Sequence, residues 1–235
     1  IMSIKYDYKL FLEHKHDLLL DEDEINRVSI IMGLKFKNYG NIQCQKQKTI
    51  LMLLNKISKT NNTSINKQIK ELLITPELIN FTIENLFKCS ILQPSFQSLY
   101  AETCKNITYR NPNIRNILKT KCVFYLEKYI NDENKENLKL LYHFISELFI
   151  VKVYNTNIII DHFNIIYSKV EEDNSNIELL CSLINGCYKN LCKNLGNNGF
   201  KEKILDKLEN ILTMNIKPRL KFMIKDITDN INIDD

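Results

Sequence analysis

From Cys44 onward, apolar residues recur at intervals of three and four, and very little interrupts them. That spacing gathers apolar side chains on one face of a helix, whereas a strand would need alternation. Only five glycines and four prolines occur in 235 residues. All-β folds turn often and use more of both, so long helices are the expected element. Hydrophobic residues make up 44% of the chain, enough for a continuous core.

The first helix is expected from about Cys44 to Ser58, with Ile50, Leu51, Leu53, Leu54 and Ile57 on one side. Ser64 is read as the cap of a second, ending near Leu73. Thr75-Pro76 is a helix start, a hydroxyl cap followed by proline at the first helical position. Ser95 opens the next helix, with Phe96, Leu99 and Tyr100 inward. Further helices are expected at Ile114–Ile130, Leu138–Val151, Asn155–Val170 and Asn176–Lys193. Gly196-Asn197-Asn198-Gly199 reads as a loop before two last helices, Phe200–Met214 and Pro218–Ile231. Leu138–Val151 is the most apolar and should be central, and Asn131–Glu136 before it reads as a charged loop.

Ten amphipathic helices in about five antiparallel pairs, spaced roughly 30 to 40 residues apart, predict an all-α HEAT-repeat solenoid. A globular helical bundle is the structural alternative. Residues 41–235 would form this scaffold, and residues 1–40 an irregular N-terminal extension with a short helix at Tyr6–His14.

Little in the chain could carry catalysis. There is no Gly-rich phosphate loop and no Gly-x-Ser-x-Gly. Glu147 lies in an apolar helix without a second carboxylate or histidine placed to serve it, and reads as a cap or inter-helix salt-bridge residue. His14 and His16 lack further ligands at metal spacing, and His143 and His162 read as structural. No enzymatic activity, cofactor or metal is expected. The cysteines Cys44, Cys89, Cys104, Cys122, Cys181, Cys187 and Cys192 form no Cys-x-x-Cys pair and mostly sit among apolar residues. They read as reduced core thiols of a cytoplasmic protein. No apolar run reaches the roughly 18 to 20 residues of a membrane span. The excess of Asn, Ile and Lys resembles the coding bias of an AT-rich genome.

The net charge of +4 is a mild basic bias. It permits nucleic-acid contact without demanding it, because non-specific binding needs clustered charge. The basic residues Lys201, Lys203, Lys207, Lys217, Arg219, Lys221 and Lys225 concentrate near the last helix pair. Most lysines simply solvate a helix face; the functional reading is RNA-backbone contact through Lys201, Lys203, Lys217, Lys221 and Lys225.

Several stretches, in order, resemble the middle domain of eukaryotic translation initiation factor 4 gamma. Leu54-Asn55-Lys56-Ile57-Ser58 is similar to that family's Leu-Asn-Lys-Leu-Thr. Gln93-Pro94-Ser95-Phe96 followed by Tyr100-Ala101-Glu102-Thr103-Cys104 is similar to Glu-Pro-x-Phe and then Tyr-Ala-x-x-Cys. Phe144-Ile145-Ser146-Glu147-Leu148-Phe149 is close to Phe-Ile-Gly-Glu-Leu-Phe. Ile177-Glu178-Leu179-Leu180-Cys181 resembles Leu-Glu-x-Leu-Cys, and Arg219-Leu220-Lys221-Phe222-Met223-Ile224-Lys225-Asp226 resembles Arg-Ile-Arg-Phe-Met-Leu-x-Asp. Ser146 replaces the family glycine, and the final arginine after the last block is missing. Upstream, Tyr6-Asp7-Tyr8-Lys9-Leu10-Phe11-Leu12 resembles the motif that docks the cap-binding protein, with Phe11 in place of leucine.

The resemblance implies a translation-initiation scaffold, such as a compact viral or protist homologue. It would hold a DEAD-box RNA helicase of the initiation factor 4A type. Leu54, Asn55 and Lys56 would lie near one helicase contact, and Arg219, Phe222 and Asp226 near the other. Tyr6, Phe11 and Leu12 would dock a cap-binding protein of the initiation factor 4E type, as a short amphipathic helix laid in a groove. The alternatives are a middle-domain scaffold of nonsense-mediated decay, the nuclear cap-binding complex or splicing, and a generic RNA-binding helical adaptor.

Overall fold

The computed structural model describes the backbone of residues 39–232 apart from Arg110. The chain divides into two units after Gln45, and the described helices beyond that point belong to the second, Lys46–Asp235. The expected docking residues Tyr6, Phe11 and Leu12, like His14 and His16, lie outside the described residues.

The helices are α1 Tyr39–Asn55, α2 Asn62–Leu72, α3 Pro76–Leu92, α4 Gln97–Thr108, α5 Pro112–Asn131, α6 Lys135–Ile150, α7 Thr156–Tyr167 and α8 Asn176–Ile184. They are followed by α9 Tyr188–Phe200, a π turn at Lys201–Leu205, α10 Asp206–Thr213 and α11 Pro218–Asn232. No strand occurs among the described residues. The expected all-α solenoid of antiparallel pairs is what forms.

Caps explain most of the boundaries. Thr75 Oγ1 accepts the Leu78 N–H at 3.3 Å, with Pro76 at the first helical position. Asn111, Asn134 and Asn155 do the same for α5, α6 and α7, accepting from Ile114, Asn137 and Ile158 at 3.2, 3.0 and 3.1 Å. Side-chain acceptors at this position satisfy amides that the helix leaves without carbonyls. Part of the asparagine surplus is therefore structural. The Asn134 cap also starts α6 at Lys135, so the charged loop shrinks to Asp132–Asn134. Ser64 is not a cap but lies inside α2, and Ser95 lies in a 3-10 turn, Pro94–Phe96, ahead of α4.

Two differences fall after α8. The expected helix Asn176–Lys193 is interrupted by a turn at Asn185–Cys187. The expected loop Gly196–Gly199 is reduced to one residue, Gly196, at φ 70° and ψ 164° inside an otherwise helical stretch. Only glycine adopts that region readily.

Even-numbered helices pack on each other in sequence, α2 on α4, α4 on α6 and α6 on α8, and α11 continues the row against α8. The other layer pairs α3 with α5 and sets α7 against the π turn. Within that layer Phe87 of α3 stacks on Tyr125 of α5, and across to the first layer it meets Phe144 of α6 edge-on, each at 5.5 Å between centroids. Asn194 of α9 donates to Thr156, Lys207 to Asn164 and Asn210 to Tyr167, at 3.1, 2.7 and 2.9 Å. The numbers rise together, so the stretch after Gly196 runs in the same direction as α7. Short antiparallel connections then place the end of α1, at Asn55 and Lys56, and the start of α11, at Pro218, on one edge of the solenoid.

α6 is central, as its composition suggests. Every residue from Asn137 to Val151 is buried or half-buried, including the polar stripe Lys139, His143 and Glu147.

Candidate protein and RNA interaction surface

Of the first predicted contact triplet, Leu54 is fully buried. It packs with Ile50, Leu53 and Ile57 in the core, on the apolar side of α1, and cannot touch a partner. Asn55 and Lys56 are exposed at the helix end. The turn beyond them is tied by Asn61, whose side chain donates to the Lys56 carbonyl and accepts from the Ser58 amide, both at 2.8 Å.

At the other end, α11 buries Leu220, Ile224 and Ile227. Arg219, Phe222 and Asp226, spaced by three and four, share the opposite side. Phe222 is 65% exposed. An aromatic ring facing water in the middle of a charged helix face has no packing role to explain it.

Arg219 is held from below. Its Nη1 lies 3.3 Å from Glu178 Oε1 of α8, and Lys139 Nζ of α6 lies 3.6 Å from Oε2 of the same carboxylate. Two of the quoted sequence blocks thus meet at one ion pair. Cys181 lies near both acidic side chains, its thiol pushed up to about 12 by burial first and then by the Glu178 and Asp226 carboxylates. Glu178 was not marked as a site residue from sequence; the available signal was a lone carboxylate in an apolar helix, the pattern also seen at Glu147.

Further along the same layer, Gln97 of α4 donates to the Ser90 and Leu140 carbonyls at 2.8 and 2.9 Å. Its oxygen is left as acceptor, so His143 Nδ1 carries a proton and donates to it. Burial lowers the pKa of His143. Asn62 of α2 donates to Glu102 of α4. Glu147 is not the salt-bridge or capping residue expected: among the described residues no ion pair involves it. Burial raises its pKa, and the neighbouring Glu102 carboxylate raises it further.

The predicted RNA-contact lysines are spread over two elements. Lys201 and Lys203 are exposed on the π turn. Lys217, Lys221 and Lys225 recur every four residues, forming a stripe at the start and along one side of α11, with Lys221 half-buried. A cavity of about 420 Å³ opens where α5 and α7 end and α6 and α8 begin, lined by Tyr129, Tyr142 and Leu179 and bordered by the exposed Ile130 and Ile165. No group of three metal-ligating side chains exists among the described residues, and no described helix is long and apolar enough to cross a membrane.

Paired helices in two layers, with charged and aromatic residues displayed at the ends, define a helical-repeat scaffold. The family model of the MIF4G domain matches residues 47–232, and the chain belongs to that family. Members of this family are helical scaffolds in RNA-related pathways, found in translation initiation factor 4 gamma, nonsense-mediated decay and nuclear cap-binding scaffolds. A comparison with curated proteins finds no match.

Proposed function

We propose that this chain is a non-catalytic translation-initiation scaffold that binds a DEAD-box RNA helicase of the initiation factor 4A type and stimulates it. The observation that carries the reading is Phe222, water-facing between Arg219 and Asp226 on the side of α11 away from the core. A large aromatic beside an arginine is the composition of an interface hot spot. Asn55 and Lys56 supply the second contact on the same edge of the solenoid. Such helicases have two lobes joined by a flexible linker. A scaffold touching both lowers the cost of finding their closed arrangement, a preorganisation effect. The protein acts in the cytoplasm. Its N-terminal extension docks a cap-binding protein of the initiation factor 4E type through Tyr6, Phe11 and Leu12, and the lysine stripe of α11 with Lys201 and Lys203 contacts RNA.

The test is titration of the purified chain against such a helicase, with the ATPase rate followed in parallel. Phe222→Ala is expected to weaken binding by at least about tenfold and to abolish stimulation without moving the thermal midpoint. Absence of helicase binding by the unmodified chain sinks the proposal. Capture of a cap-binding protein that is lost in Tyr6→Ala supports the initiation pathway; no capture by either form favours a middle-domain scaffold of another RNA pathway.

A further inference from the structure

We propose that Glu178 is a positioning residue for the contact face of α11, clamping the Arg219 guanidinium so that its remaining N–H groups are presented to an acidic partner surface. The inference rests on reading Arg219, Phe222 and Asp226 as the helicase-facing group.

The two ends of the Glu178–Arg219 pair differ in exposure. The Arg219 side chain is 72% exposed and that of Glu178 only 23%. Glu178 stands on α8, where no residue from Asn176 to Ile184 is exposed and where Ile177 and Leu179 on either side are buried. Lys139, reaching from α6 to the second carboxylate oxygen, occupies the side that Arg219 leaves free. The carboxylate is thus anchored on the central helices, and the arginine is the free end.

That asymmetry separates two roles. An ion pair with one end so open to water contributes little to folding, because solvent screens it. Arginine loses rotamer freedom when a partner immobilises it, and an interface pays that cost at binding. A side chain already held in place pays less. The guanidinium has five N–H donors in a rigid plane. The Glu178 contact is at Nη1, which leaves the others to meet carboxylates or carbonyls of a partner lying against Phe222.

The test is a double-mutant cycle on the full chain, with Glu178→Gln, Arg219→Ala and both together, titrated against an initiation-type DEAD-box helicase. The Arg219 Nε–H resonance is followed by NMR in the free chain. The expected result is a loss of roughly three- to fivefold for Glu178→Gln, no further loss when it is added to Arg219→Ala, and an unchanged thermal midpoint. In the free chain the Nε–H signal of Arg219 should report greater side-chain mobility in Glu178→Gln. Fully additive losses, an unchanged Arg219 signal, or a drop in thermal midpoint large enough to explain the weaker binding each overturn the proposal. If the unmodified chain binds no helicase, the reading of the face fails, and the Arg219 signal decides the clamp by itself.

Discussion

Leu54 and Lys56 are two positions apart, and the end of α1 gives them opposite environments. Leu54 is fully buried and Lys56 faces water. Leu54→Ala is expected to destabilise the fold by about 2–5 kcal/mol, the range for deleting a core leucine side chain. Lys56→Ala should leave stability within about 0.5 kcal/mol; urea unfolding of the two variants checks both. The spacing of Ile50, Leu53, Leu54 and Ile57 already assigns Leu54 to the apolar side, so its burial was legible, and the block resemblance pulled the other way. Exposure of Phe222 was not legible in the same manner. A phenylalanine among Leu220, Met223 and Ile224 reads as core by composition, and only the direction of packing against α8 turns it outward. Glu178 and Arg219 lie 41 positions apart (219 − 178), and no local pattern joins residues at that separation.

At the level of helices, residue spacing indicates where an element lies better than where it stops. The stops depend on single capping residues and single dihedral angles. Asn111, Asn134 and Asn155 look like three members of an asparagine-rich background until each is found one residue ahead of a helix. Gly196 is the sharpest case. A Cβ added there would meet nothing within 4 Å, yet φ is 70°. Gly196→Ala is therefore expected to cost about 1–3 kcal/mol through backbone strain alone. Gly199→Ala is the control. There a Cβ makes only an ordinary contact, 3.5 Å from Leu195 Cβ, at a helical position, so it should be neutral or stabilising by up to about 1 kcal/mol. Urea midpoints of the two variants should move in different directions, or Gly196→Ala alone should move. Glu133 and Lys152 also sit at positive φ, 52° and 66°, just past the ends of α5 and α6, where glycine is the commoner choice.

For the molecule as a whole, buried histidines make stability depend on pH. Burial lowers the pKa of both His143 and His162 below 6.5, and for His162 the Asp161 carboxylate opposes the shift only in part. The folded chain then binds fewer protons than the unfolded one as pH falls through 6.5, so this part of the stability is present above that pH and lost below it. Glu147 works in the other sense. Its raised pKa makes the folded state hold a proton more tightly, which returns some stability as pH falls towards 4.5. The Lys135 ammonium and Ser175 hold Asp173 at about 2, a surface effect felt only below 3.8. The urea midpoint should therefore fall between about pH 7.5 and 5.5. His162→Phe, which keeps a ring against Tyr142, should reduce that fall; an equal fall in the variant would remove His162 from the account. The solenoid itself was legible from helix count and spacing, because each pair packs mainly on its neighbours and needs little long-range information. Which layer would carry Gln97, His143 and Glu178, and how those side chains pair, depends on the crossing of helices far apart in sequence.

The placement of Asn55 and of Arg219 on one edge follows from parity. An even number of helical passes, eight when α9 and α10 are taken as one, separates the end of α1 from the start of α11. Adding or deleting one helix would send α11 off from the opposite edge, leaving Arg219 and Lys56 on different sides of the molecule. A scaffold that must meet one partner at both ends can therefore change length only by whole pairs, and its reach is quantised in units of one repeat.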